Sequence, residues 1–314
     1  VKQDLAVLLQ QAKGGQVYRL QPGNYGRLAL KNLRFETPVI IDGGDKAYFE
    51  RIELARVHNL TFRNIVVEAG TTEKPRWEIA VNIWRSSNIK VLSSDIHWSA
   101  DNIWTNDGIA LTARLSDTVT FKENRIHDSI IGIVARDADN ILIEENEFTD
   151  IRVDGVNVSG TQKLVFENNL CTNFHPIRPK DHPDCIQLWN DTAKRSNVDI
   201  FIRSNKILRG EGGVSQGIFI AGKQEGLLHT NLVIENNTIH QGMGMGIFLR
   251  KVDGAVVRHN QLSAAEPVEF PPAIAVREPV TGVRLENNVA HHFEVADPMT
   301  ESGRVVMTDN VSTR

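Results

Sequence analysis

The sequence predicts an all-β chain, a single-stranded, right-handed parallel β-helix in which each coil adds a rung to one continuous core. Three observations predict it. Between Gly108 and Ala273 one pattern recurs seven times: a small residue, an alternating apolar run, a polar gap, a second apolar run and Asn, as in GIALT…TVTFKEN and GIVAR…ILIEEN. Self-similarity at a period of roughly 20–50 residues marks a solenoid. Each half-repeat alternates apolar with polar, the signature of a strand with one buried face. No sustained helical stripe separates those strands, so crossover helices are not available. The strong preference of parallel connections sets the hand.

Taken in order, Leu5, Leu8, Leu9 and Ala12 fall at i, i+3, i+4 and i+7, predicting a short amphipathic capping helix within residues 1–15 that Gly14 and Gly15 end. It would cover the open edge of the first coil. Residues 16–79 read as irregular first coils, through VYRLQPGNY, LALKNLRF, PVIIDGG and FERIEL. Regular coils follow over 80–314, with strand starts at Ala80, Gly108, Gly132, Gly155, Cys185, Gly217, Gly246 and Ala273. The longer spacings hide inserted loops at 172–184, 190–196 and 209–216, all crowding one stretch. RVVMTDNVSTR supplies a last strand-like piece with no obvious cap, an end where a missing segment or a homo-oligomer contact can form. The whole of 1–314 is expected to be one domain.

Composition narrows the function. With 41% hydrophobic and 24% charged residues the chain is globular, and a net charge of −4 gives no drive toward nucleic acid. No apolar run approaches the roughly 20 residues that span a bilayer, so membrane insertion is not expected. No signal-like segment opens the chain, so a targeting peptide is expected to have been removed or never present. Cys171 stands where other repeats carry Ile126, Phe148, Ile239 and Leu262, and Cys185 replaces a strand-opening small residue. Both read as buried free thiols.

The recurrent Asn124, Asn146, Asn169, Asn205, Asn237, Asn260 and Asn288 each follow the same inward apolar position by three residues. Asn tolerates the left-handed backbone of a sharp corner, and its amides can pair along a stack. These are assigned to structure.

Aligned strands show which side chains share the outward face: Asn82/Trp84, Ala110/Thr112, Val134/Arg136, Asn157/Ser159, Gln187/Trp189, Phe219/Ala221, Phe248/Arg250 and Ala275/Arg277. Aromatics, amides and arginines suit a sugar-binding groove. Asp107, Asp154 and Asp184 each precede a strand start, and the last two belong to consecutive coils, bringing their carboxylates within about 5–7 Å. Between them runs FHPIRPKDHPDCIQLW, which holds His175, Arg178, Lys180, Asp181, His182, Asp184, Gln187 and Trp189. Arg136, Arg178, Lys180, Lys223, Arg250, Lys251 and Arg277 lie on the same side, which points to an anionic polymer such as a uronan. Asp181 and Asp184 are the candidate ligands for a calcium ion.

These features resemble the right-handed parallel β-helix, pectate-lyase-like superfamily of polysaccharide-modifying proteins over essentially the whole length. VDGVNVSG, DHPDCIQLW, VSQGIFIAG and GIFLRK resemble the four active-site strands of polygalacturonase-type hydrolases, which implies catalytic carboxylates at Asp154 and Asp184. The chain departs from that pattern at Pro183, at Gln216 where a histidine is wanted, and at Arg250-Lys251. DHPD is similar in composition to an element of mannuronan C5-epimerases. Pectate-lyase-like depolymerases, phage tailspikes among them, share the scaffold, and Arg178, Lys180 and His182 fit their looser pattern best. The leading expectation is therefore a lyase cleaving an acidic polysaccharide by β-elimination. His182 or Lys180 would be its base, Arg178 or Arg250 would neutralise the enolate, and Asp184 would orient His182. An inverting hydrolase using Asp154 and Asp184, a uronan epimerase and a non-catalytic glycan-binding spike are the alternatives. The resemblance implies an extracellular, periplasmic or virion-surface location.

Overall fold

A computed structural model of the chain describes residues 5–74, 77–177, 181–190, 193–266, 268 and 270–313. Its strands pair in parallel, each with the equivalent strand one coil on, and wind into a right-handed β-helix with three faces. The first face, here the site sheet, includes Ile79–Trp84, Ile109–Arg114, Asp184–Trp189 and Gln216–Ala221. The second includes Ser87–Leu92, Asp117–Lys122 and Asp139–Glu144. The third is narrower, with Asp95–His97, Leu170–Cys171 and Lys206–Leu208 among its strands. Pairing already begins at Val17, which lies beside Ile40.

Alternation decides what enters the lumen. Leu111, Ile133, Val156, Ile186, Ile218 and Ile247 stack in one inward row, and all are fully buried. Each such side chain removes apolar area worth about 1.5–3 kcal/mol from water, and the row continues from coil to coil. One level differs from the sequence alignment. Leu111 pairs with Ile133 and Thr112 with Val134, so Ala110, not Gly108, is the equivalent small residue. The outward pair of that coil is therefore Thr112/Arg114. Periodicity fixed its facing but not a two-residue slide.

The asparagines form a continuous ladder. Each Nδ2 donates to the Oδ1 of the next Asn, from Asn124 to Asn146 and on to Asn288, at 2.9–3.1 Å. Asn310 adds an eighth member. The left-handed residue is not the ladder Asn, however, but the one before it: Glu123, Glu145, Asn168, Ser204, Asn236, His259 and Asn287 have φ of 54–57°. The corner turns first, and the following Asn then points its amide inward along the stack. An opposite corner is bridged by Ser86, Ser116, Thr161 and Asn197, whose side chains accept from backbone N–H groups one coil back or reach carbonyls.

At the ends, α1 (Leu5–Gln11) buries Leu5 and Leu9 against the first coil, as expected. The other end does carry a partial cover: α2 (Asp297–Glu301) buries Met299. Val306, Met307 and Val311 of the last rung stay exposed. Pro298, two residues after Ala296, stands in the first turn of that short helix, a signal that sequence periodicity passes over in so short an element.

The cysteines are not free thiols. Cys171 and Cys185 form a disulfide, with Sγ–Sγ 2.07 Å and Cα–Cα 5.8 Å. Elsewhere a large third-sheet residue packs against the small residue opening the next site strand. Here both positions are Cys, so an ordinary packing contact becomes a bond. It closes the base of the loop 172–184 inside the lumen.

Candidate functional site

Inserted loops leave the stack mainly where the third sheet hands over to the site sheet, at 98–108, 172–183, 209–215 and 265–272. They surround the first residues of the site strands. In register there, Ile131, Asp154, Asp184 and Gln216 succeed one another on adjacent rungs. A rigid apolar column thus ends in two carboxyls and an amide. Loops held on such a scaffold are where binding groups concentrate.

Asp154 and Asp184 are buried, the latter completely. Asn157 Nδ2 donates to Asp154 Oδ2 and to Gln187 Oε1, both at 2.9 Å, and Gln187 Nε2 donates to Asp184 Oδ2 at 2.9 Å. His182 Nδ1 lies 3.1 Å from the same Asp184 oxygen, and its side chain is 48% exposed. The chain of contacts runs from one buried carboxyl to an imidazole at the surface. Asp154 Oδ1 and Asp184 Oδ1 find no side-chain donor. Two buried acceptors without donors, on carboxyls of adjacent rungs, favour a proton on one of them.

Burial first, and then the charge of Asp184, push Asp154 up to about 8. Asp184 is also raised by burial, but His182 and Gln187 oppose that shift. The neighbouring charge adds to the rise at Asp154, whereas His182 and Gln187 counter it at Asp184, so of the pair Asp154 is the more disposed to hold a proton. Asp184 in turn raises His182 against the opposing effect of burial.

The aromatic neighbours continue along the face. His182 meets Phe219 edge-on at 5.0 Å, Trp189 lies 6.1 Å from Phe219, and Phe219 stacks on Phe248 at 4.8 Å. Phe248 is only 4% exposed, sandwiched between Phe219 and the Arg277 guanidinium. Lys223 sits over Trp189. Arg250 and Arg277 pair in register, and Arg277 reaches Glu294 at 3.4 Å. Arg136 lies beside Ser159, two coils before the Gln187 rung. Asn157, Gln187 and Phe219 therefore do line one surface. Arg178 and Lys180 lie outside the described residues.

Asp181 has a different place. Arg152 Nε and Nη2 donate to its two oxygens at 2.8 and 3.2 Å, and Ile177 N–H adds a third bond. This buried pair anchors the loop to the strand beneath it. With both oxygens engaged, Asp181 is not disposed to share an ion with Asp184, and calcium needs 6–8 oxygen ligands. The donor set does not fit calcium.

Sequence reasoning missed Arg152, whose partner is 29 residues away and visible only through the stacking. It also missed Asp150 and Trp104, which hold His175: Asp150 Oδ1 lies 2.9 Å from His175 Nε2, and Trp104 stacks on its ring at 3.9 Å. Asp107 belongs to this neighbouring region and not to the Asp154 row. Burial, with Asp128 and Asp101 nearby, raises it to about 7.

The family model for a right handed beta helix region matches residues 107–290, more than half of the sequence. The chain belongs to the right-handed β-helix family. Solved structures agree in fold over nearly the full length. The Azotobacter vinelandii mannuronan C-5 epimerase AlgE4 A-module aligns with TM-score 0.69 at 13% identity, covering 97% of this chain and 88% of that one. The Streptococcus pneumoniae surface protein and adhesin PfbA gives 0.61 at 12%, with 98% and 91% covered. DFA-IIIase from Arthrobacter chlorophenolicus A6 gives 0.58 at 11%, with 89% and 75% covered. At these identities the likeness is one of fold. No curated protein matches in sequence. Among the described residues of this β-helix, no helix is long and apolar enough to cross a membrane.

Proposed function

We propose that this β-helix acts on an acidic, uronate-containing polysaccharide, cleaving it by β-elimination with His182 as the base. The observation that carries the reading is the Asp184–His182 pair: a fully buried carboxylate holds Nδ1 of a half-exposed imidazole and leaves Nε2 for chemistry. Nε2 would take the proton from the carbon beside the uronate carboxylate. That electron pair forms the ring double bond as the bond to the glycosidic oxygen breaks, and the leaving oxygen takes up a proton. Fixing the imidazole by a carboxylate is how such bases are oriented. Cationic Arg250 and Arg277, with Arg178 and Lys180 from the loop, would attract the polymer and offset the developing charge. Trp189 and Phe219 supply apolar faces for sugar rings.

The buried positions of Asp154 and Asp184 favour this reading over hydrolysis, since neither carboxyl presents itself to a glycosidic oxygen. Inverting pairs stand roughly 6.5–9.5 Å apart around a water, whereas these two sit on adjacent rungs. Epimerisation shares the first proton transfer, and two of the neighbouring folds are named mannuronan C-5 epimerases. Incubation with a panel of uronans decides between them. Ultraviolet absorbance from unsaturated ends is the expected result. Changed uronate composition without cleavage would mean epimerisation, and new reducing ends without unsaturation would mean hydrolysis.

A further inference from the structure

Away from the proposed site, at the outer face of the third sheet, three chemistry-bearing side chains converge. Asp95 and His97 are two apart on one strand and so project to the same side, while Ile96 between them is buried. His127 is the register partner of His97 one coil on, and the two rings stack at 4.6 Å and 11°. One ligand atom from each of the three lies within 4.8 Å of the others, the one such group of His, Cys, Asp and Glu among the described residues.

The hydrogen bonds around the rings fix what the imidazoles can offer. His97 Nδ1 lies 2.6 Å from the Trp98 carbonyl oxygen, which can only accept, so Nδ1 carries the proton and Nε2 the lone pair. His127 Nδ1 lies 2.6 Å from Asp128 Oδ2, and its Nε2 faces Asp95 Oδ1 at 2.8 Å. Asp128 is set in the left-handed region, φ 45°, which turns its carboxylate back onto the ring. A backbone carbonyl on one imidazole and a carboxylate on the other is the arrangement that orients metal-ligating histidines. A structural imidazolium held by two carboxylates would account for His127, but not for a second histidine stacked in register with its tautomer fixed.

We infer that Asp95, His97 and His127 form a site for a divalent transition-metal ion of the zinc type. Two imidazole nitrogens and one carboxylate oxygen suit zinc and its borderline neighbours, whereas calcium and magnesium demand oxygen shells. Binding displaces the proton between His127 Nε2 and Asp95 as the metal takes its place. Asp95 and His97 open on a cleft of about 540 Å³ lined also by Asp45, Tyr48, Glu123 and Arg125, while His127 is buried beneath them, so further positions on the ion face that cleft. Asp95, with its side chain 38% exposed, is free to adjust to the ion.

Tag-free, chelator-treated full chain titrated calorimetrically with Zn²⁺, and with Co²⁺ followed by visible absorption, tests this. The expected result is one equivalent bound with micromolar or tighter affinity, uncontested by Ca²⁺ or Mg²⁺. His97→Ala and Asp95→Asn should each weaken binding at least tenfold, and Asp128→Asn about tenfold, with the metal-free melting temperature nearly unchanged. His97→Gln gives a second reading if His97→Ala folds poorly. The adjacent pair His291 and His292 is another place where zinc can collect, so a His291→Ala/His292→Ala variant should bind as the parent does. Absence of binding below millimolar Zn²⁺, or binding indifferent to His97 and Asp95, would overturn the assignment.

Discussion

At the corner between the second and third sheets, each ladder Asn donates to the next, and its own oxygen accepts from both the backbone and the side chain of the one before. Asn169, for example, receives Asn146 N–H and Nδ2 and gives to Ile143 O and Asn205 Oδ1. Where the site strands begin, the same stacking places Asp154, Asp184 and Gln216 on successive rungs, and each keeps a buried oxygen without a side-chain donor. Both columns bury polar atoms at one coil spacing. The amide carries donor and acceptor together and so pairs with copies of itself, whereas carboxylates in a row repel. A solenoid repeats whatever is put at a position, so a self-complementary side chain becomes a staple and an acceptor-only one becomes an unresolved charge. Burial first, and that unresolved charge second, press a proton onto Asp154 and leave Asp184 seeking His182.

The sharpest way to break the comparison is at His182. His182→Ala should lower turnover on the cleaved uronan by about 10²–10⁴-fold, with thermal unfolding nearly unchanged because the ring is half exposed. A parent-like rate in the purified variant would remove the imidazole from the mechanism. The pH dependence carries a sign as well. Asp184 raises His182, so its basic form accumulates only above the ordinary value near 6.5, and kcat should climb with pH through that range. In Asp184→Asn the residual activity should keep its rise but at lower pH, which a merely structural Asp184 would not produce.

Asn169→Ala should act the other way, on stability alone. It strips partners from Asn146 N–H, Asn146 Nδ2, the Ile143 carbonyl and Asn205 Oδ1, about 4 kcal/mol in all at roughly 1 kcal/mol per lost bond. Denaturant unfolding measures it, and an unmoved midpoint would show that the ladder is not a staple.

Much of this was readable in the residues, for a reason the two columns share. Period-two alternation and the recurring Asn state which side chains stack, so the ladder, the lumen rows and the common surface of Asn157, Gln187 and Phe219 followed from spacing. What alternation cannot state is level, since sliding a strand by two residues preserves its facing. That is why Ala110 and not Gly108 aligns with Gly132. Nor does it state which polar atoms meet across coils of unequal length. Arg152 meets Asp181, and His175 meets Asp150, over separations that inserted loops set. The disulfide lay between these cases: both cysteines were placed in the lumen, but their position at the two ends of one loop was not read as a bond.

That bond offers the next test of how far scaffold and site are separable. Replacing Cys171 and Cys185 by Ala reopens a loop whose ends are 14 residues apart, and should cost about 2–3 kcal/mol of stability. Because Cys185 directly follows Asp184 and the loop carries His182, activity should fall with it, and the loop should become the first point of proteolysis. Loss of stability with full activity would show that Arg152 and Asp181 alone hold the loop in place.

The last effect is the most diagnostic of the carboxyl column. In the folded chain Asp154 keeps its proton up to about pH 8, whereas unfolded it releases that proton near 4. The folded state therefore binds more protons across that interval, and this group's contribution to stability is full below pH 4 and lost as pH rises toward 8. Asp154→Asn removes the titration while keeping the shape. It should change stability little at pH 4.5 and raise it at pH 8.5. Equal midpoint shifts at both pH values would mean that Asp154 is ionised in the folded chain, and that two neighbouring carboxylates share the rungs after all.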